Sequence, residues 1–139
     1  MTYQDVLDYI TANPICAVAT READGQPRAR YFLTVQFDDK CLYFTTSTRK
    51  RVYGQIANDP RVELCYFNQS TGVVLRIETK IEVVEDLPKK QQLVRERDYL
   101  KGFKAEDPEF KLLRISHGKA WFWTMKDNLK EATLPIIEF

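Results

Sequence analysis

Apolar and polar positions alternate most clearly in "GVVLRIETKIEVVE" (72–85). Val73, Leu75, Ile77, Ile81 and Val83 share one face with Thr79, while Arg76, Glu78, Lys80 and Glu82 share the other. Successive strand side chains point to opposite sides, so this pattern predicts one long strand with a single buried face. "PRARYFLTVQF" (27–37) alternates as well, with Arg28, Arg30 and Phe32 on one face and Ala29, Tyr31, Leu33 and Val35 on the other. The apolar runs "ICAVATR" (15–21), "CLYFTT" (41–46) and "RVELCYF" (61–67) read as further strands. "KLLRISHG" followed by "KAWFWTM" (111–125) reads as a closing hairpin.

Three segments follow helical spacing instead. Val6, Leu7 and Ile10 form a stripe behind the capping pair Thr2 and Asp5, and Asn13-Pro14 stops it. From about Thr48 to Asn58, Val52 and Ile56 face inward together with Tyr53, and Asp59-Pro60 ends the run. "PKKQQLVRERDYLK" (88–101) is amphipathic, with Pro88 in its first turn. "EADGQP" (22–27) and "DDK" (38–40) are turns, "GFKAEDPEF" (102–110) is a loop, and the tail from Lys126 carries no clear pattern. The order is helix, three strands, helix, two strands, helix, two strands. The first three strands have no helices between them, which argues against a doubly wound parallel sheet. The expectation is one mainly β domain over 1–139, a closed antiparallel barrel flanked by helices.

Composition narrows the function. Lys and Arg number 21 against 20 Asp and Glu, a net charge of +1 over 139 residues. Nothing in that balance draws the whole molecule to nucleic acid or to an anionic membrane, so any anion site must come from local clustering. No apolar run is long enough to span a bilayer, and the N-terminus lacks a basic-then-apolar signal pattern, so a cytoplasmic location is expected. Cys16, Cys41 and Cys65 lie apart inside apolar runs with no CxxC pair, and are expected as buried, reduced, structural thiols. His117 is the only histidine. One imidazole rules against a multi-histidine metal site, and no nucleophile motif accompanies it.

Local clustering appears in "YFTTSTRKRVYGQIANDP" (43–60). Thr45, Thr46, Ser47 and Thr48 lead into Arg49, Lys50 and Arg51 at a helix start. That is the positive end of the helix dipole, where cations are slightly unfavourable. Hydroxyls and free backbone N–H groups there can cradle an oxyanion, and adjacent cations can neutralise a phosphate. The alternative is a solvated, merely basic helix start. Arg28 and Arg30 share a face with Phe32, and if that face points inward the guanidiniums need partners or a ligand. Trp121 and Trp123 also share a face. They would suit a flat ring system, a core, or a dimer interface.

In the order of these parts the chain resembles the flavin-binding split-barrel proteins related to pyridoxamine 5′-phosphate oxidase. The resemblance runs from the first helix to "AWFWT" and is most specific in "ATREADGQPRARYF" (19–32) and "LYFTTSTRKRVYGQIANDPRVEL" (42–64). It implies a six-stranded antiparallel split β-barrel and a two-fold homodimer with FMN at the interface. It further implies that Arg30, with Arg28 beside it, reaches the cofactor from its strand, and that Tyr43, Thr45 and Thr46 lie at a strand end next to the flavin. Lys50 fits the family's phosphate-binding lysine, with Arg49 or Arg51 assisting, and Trp121 or Trp123 would come from the partner chain.

There is no arginine or histidine after Trp123. The basic segment that holds substrate in the namesake enzyme is therefore not expected here, and neither is true pyridoxamine phosphate oxidase activity. The chain looks closer to the small general-stress and nitroimidazole-reductase-like members, and a lone histidine argues against the haem-degrading ones. The expected function is a flavin-dependent oxidoreductase whose substrate and electron donor are unassigned. The rivals are a flavin-storing protein without turnover, a small barrel binding single-stranded nucleic acid through Arg28, Arg30 and Lys50, and the same barrel holding deazaflavin or haem.

Overall fold

The computed structural model describes residues 1–139. The first helix, α1 (Tyr3–Ala12), starts as its sequence dictates: the Asp5 carboxylate accepts the Thr2 backbone N–H at 2.6 Å, and Val6, Leu7 and Ile10 are buried. After it come β1 (Ile15–Arg21), β2 (Pro27–Leu33), β3 (Val35–Gln36) and β4 (Leu42–Ser47). Helix α2 (Arg51–Asn58) separates these from β5 (Arg61–Phe67), β6 (Val74–Lys80) and β7 (Glu82–Val84). Helix α3 (Leu87–Glu96) leads through a short 3-10 turn at Asp98–Leu100 to β8 (Phe110–Ile115) and β9 (Gly118–Trp123). The tail, which shows no pattern in sequence, makes two further 3-10 turns and a short edge strand, β10 (Ile137–Glu138).

The strands pair antiparallel in two sheets, one ordered β10-β9-β6-β5-β1-β2 and the other β3-β4-β8-β7. The fold is thus mainly β with three flanking helices, but hydrogen bonding does not close into a ring, and ten strands replace the seven expected. Two of the three extra strands, β3 and β7, have a local cause. The two segments read as single long strands each break at one residue and pass from the large sheet to the small one. Thr34, between β2 and β3, donates its N–H to the Pro14 carbonyl at 2.8 Å; Ile81, between β6 and β7, donates to the Pro60 carbonyl at 2.9 Å. Both residues are buried. Past the break the inside and outside faces no longer continue, and Val83 is exposed rather than buried.

One core lies between the sheets under α1 and α2, built from Val18, Leu64, Ile77, Phe44, Leu113 and their neighbours. A smaller core lies on the far side of the small sheet, where Leu93 of α3 and Leu100 cover Val35, Tyr43, Phe110 and Leu112. The outer face of the large sheet carries Ile15, Tyr31 and Phe67, all more than half exposed. Cys65 lies on this face and is exposed, and Cys41 is only half-buried; of the three cysteines only Cys16 is buried, contrary to the expectation from their apolar surroundings. The period-two pattern of β5 accounts for Cys65: it pairs with Ala17 and Arg76 on the outer side, while Leu64 and Tyr66 point in.

Candidate functional site

A cleft of about 340 Å³ opens where the end of β4 meets β2 and the start of α2. It is lined by Arg30, Thr45, Thr46, Ser47 and Lys50 together with aromatic side chains including Tyr99, Phe103 and Phe110. The Arg28–Arg30–Phe32 face of β2 points inward: Phe32 packs on Phe44 with ring centroids 5.3 Å apart, and Arg30 pairs with Val18. The Arg30 guanidinium donates to the Val18 carbonyl at 3.0 Å, to Thr20 Oγ1 at 2.6 Å and to Gln55 Oε1 at 2.6 Å. An arginine has five N–H donors, so two remain for a ligand. Burial lowers its pKa, against the raising effect of the Glu22 charge, but not enough to discharge an arginine.

Thr46 contributes the second feature. It is 4% exposed, and its hydroxyl has no hydrogen-bond partner in the protein. A buried polar group left unmatched costs about 1–3 kcal/mol, so a native site that tolerates one has a use for it. Lys50 is the N-cap of α2, in extended conformation, with its backbone N–H on the Ser47 carbonyl at 3.0 Å. The helix therefore begins three residues later than the sequence pattern places it. Arg49 lies before the cap, Arg51 is the first helical residue, and the first turn holds no acid.

The remaining candidates separate. Arg51 is 3.7 Å and Arg28 3.3 Å from Glu22 Oε1, so both answer one carboxylate outside the cleft lining. Arg49 is exposed with no carboxylate partner. Tyr43 is not at the cleft. It lies on the other side of β4 in the smaller core, its hydroxyl donating to Asp39. Trp121 and Trp123 lie on the outer face of the large sheet, four strands from β2. The Trp121 indole N–H donates to Glu131 at 3.0 Å, and Arg76 sits over its ring at 5.4 Å from the centroid. His117, in the β8–β9 turn, is bonded to Ser116 and lines a separate open depression of about 1000 Å³. Sequence reasoning missed Thr20, Gln55 and Glu22. A signal for Gln55 was present: it is a polar residue inside the inward stripe Val52–Gln55–Ile56.

The family model described as pyridoxamine 5′-phosphate oxidase matches residues 4–124. The chain belongs to the pyridoxamine 5′-phosphate oxidase family. It is 36% identical over 67 residues to the pyridoxine/pyridoxamine 5′-phosphate oxidase of Bordetella petrii, covering 48% of this chain and 32% of that one. It is 43% identical over 49 residues to the Serratia proteamaculans enzyme, covering 35% and 23%. The match thus spans about a third or less of these curated relatives.

Among solved structures, the family fold covers nearly the whole chain. A NimC/NimA family protein of Clostridium acetobutylicum superposes with a TM-score of 0.80 at 20% identity, covering 99% of this chain and 93% of that one. General Stress Protein 26 of Bacillus anthracis gives 0.76 at 16% identity, covering 99% and 98%. HutZ, the heme storage protein of Vibrio cholerae, gives 0.67 at 17% identity, covering 89% and 95%. At these identities the likeness is one of fold.

Proposed function

We propose that this protein binds FMN in the cleft between Arg30 and Lys50 and acts as a flavin-dependent oxidoreductase on a small molecule. The observation that carries the reading is the buried, unpartnered Thr46 hydroxyl in a cleft also lined by Arg30 and Lys50, neither of which forms an ion pair. A phosphate oxygen would satisfy it, with Arg30 and Lys50 supplying charge-assisted donors and Arg49 within the same helix start. The cleft volume lies at the low end of the roughly 300–1,000 Å³ of small-molecule sites, which suits the phosphate end of the ligand with the ring extending beyond the chain's own walls.

When bound, FMN supplies the redox chemistry; the chain binds, orients and shields it. The reading includes a two-fold dimer with the exposed outer face of the large sheet turned to a second copy, whose Trp121 or Trp123 would complete the site. It also includes a split barrel as the working shape and a cytoplasmic site of action. No helix is long and apolar enough to cross a membrane. His117, the single imidazole, lines the other depression, so the donor set at this cleft favours a flavin phosphate over haem.

Titration with FMN and with riboflavin tests the reading. Lys50→Ala and Arg30→Ala should each weaken FMN about 10–100-fold and leave riboflavin, which has no phosphate, nearly unchanged. Lys126→Ala, on an exposed turn, should change neither. Unchanged FMN affinity, or an equal loss for riboflavin, overturns the phosphate site. Reduction by a nicotinamide cofactor followed by reoxidation by acceptors separates an oxidoreductase from a flavin store.

A further inference from the structure

Arg30 reaches the cleft from the sheet interior and forms no ion pair. All three of its protein partners are neutral acceptors: the Val18 carbonyl, Thr20 Oγ1 and Gln55 Oε1. An acid is nevertheless close. Gln55 Nε2 donates to Glu22 Oε1 at 2.9 Å, and the same carboxylate oxygen is also taken up by Arg28 and Arg51. Gln55 is 5% exposed and stands between the two charges, with Thr20 donating to its oxygen as well. The direction of its amide is fixed by chemistry. A guanidinium only donates and a carboxylate only accepts, so the oxygen must face Arg30 and the nitrogen Glu22.

We infer that Gln55 is a positioning residue for anion binding. It anchors Arg30 with a neutral acceptor and holds Glu22 on its amide, so the guanidinium keeps its full charge for a ligand phosphate. The inference rests on the FMN reading above. A carboxylate at this position would anchor Arg30 equally well but cancel its charge. An apolar side chain would leave Arg30 and Thr20 without their acceptor.

The test compares Gln55→Glu and Gln55→Met, read as the ratio of FMN to riboflavin affinity. Gln55→Glu should lower that ratio roughly tenfold or more. Gln55→Met, which keeps length and removes the acceptor, should lower it by a smaller, several-fold amount. In an Arg30→Ala background, Gln55→Glu should lower the ratio no further, because the effect passes through Arg30. A packing role alone would weaken both ligands together and leave the ratio unchanged in both variants, which overturns the inference while the Lys50 and Arg30 results stand. If only Gln55→Met folds, an unchanged ratio in that variant overturns it equally. A wild-type protein with no preference for FMN over riboflavin overturns both this inference and the proposed function.

Discussion

Thr46 is a residue whose cost and use have opposite signs. Without ligand its buried hydroxyl lacks a partner; with a phosphate bound it gains one. Thr46→Val keeps the shape and removes the polar atom. The ligand-free protein should then be as stable or more so, by up to about 1 kcal/mol, while FMN binds several-fold more weakly. Thermal melts with and without FMN check this: the midpoint gained on adding ligand should shrink while the ligand-free midpoint holds or rises. A variant that loses stability in both states would show that the hydroxyl has a structural partner instead.

The same scale shows what sequence can and cannot tell. That Arg30, Thr46 and Lys50 would stand out together was legible because hydroxyls and cations at a helix start, and arginines in strand alternation, are local patterns; that they line one cleft is seen only in the fold. Tyr43 instead sits in the smaller core, and only the fold reveals that both sides of β4 are covered. Lys90 was equally illegible. Its polar type marks a solvent face, yet it is buried, with its ammonium 5.5 Å from the Phe110 ring centroid and 3.8 Å from Glu85.

At the scale of elements, the alternation of β2 and β6 was read correctly up to Thr34 and Ile81 and then lost. Nothing in residue type marks a break whose cause is a carbonyl of a different strand's leader. The two breaks are alike: each follows a helix, an X-Pro step and a hairpin. The edge strand β10 was not legible either, since its two residues pair only because β9 offers a free edge. Its continuation exchanges both backbone hydrogen bonds between Phe139 and Gly118, and the Phe139 ring stacks on Tyr3 at 4.2 Å between centroids. A Cβ at Gly118 would lie 2.9 Å from that ring and 3.0 Å from the Glu78 carbonyl oxygen. Gly118→Ala should therefore cost about 1–3 kcal/mol in urea unfolding. Gly54→Ala, within α2 and in open space, should instead gain about 0.4–1 kcal/mol. Equal effects of the two would mean that β10 does not hold this edge.

For the molecule as a whole, the outer face of the large sheet joins exposed Tyr31 and Phe67 to half-buried Trp121 and Trp123. In the proposed dimer a second copy would cover this face, whose apolar residues surround the Arg76–Glu63 pair. Cys65 reports on it, being exposed there, whereas Cys16 is buried and its thiol is pushed up to about 11, chiefly by burial. A thiol pKa raised by folding contributes stability that is complete below the unfolded value and lost as pH rises through the folded one, so Cys16 stays a neutral, unreactive thiol near neutrality. At neutral pH a thiol reagent should label Cys65 first and Cys16 only on unfolding. Raising the protein concentration should slow labelling of Cys65 if a second copy covers this face. A rate independent of concentration, with a monomer by light scattering, would remove the dimer from the proposal.

The crossings at Thr34 and Ile81 also govern how the molecule comes apart. Because the same strands serve both sheets, neither sheet can open while the other stays whole, and unfolding should be a single cooperative event. The amides of Thr34 and Ile81, tied to Pro14 and Pro60, should then be among the slowest to exchange with deuterium, at rates set by global opening alone. The cleft takes Arg30 from one sheet and Thr46 from the other. A ligand seated there would add a further link between the sheets, slowing exchange at both crossings as much as at the residues it touches.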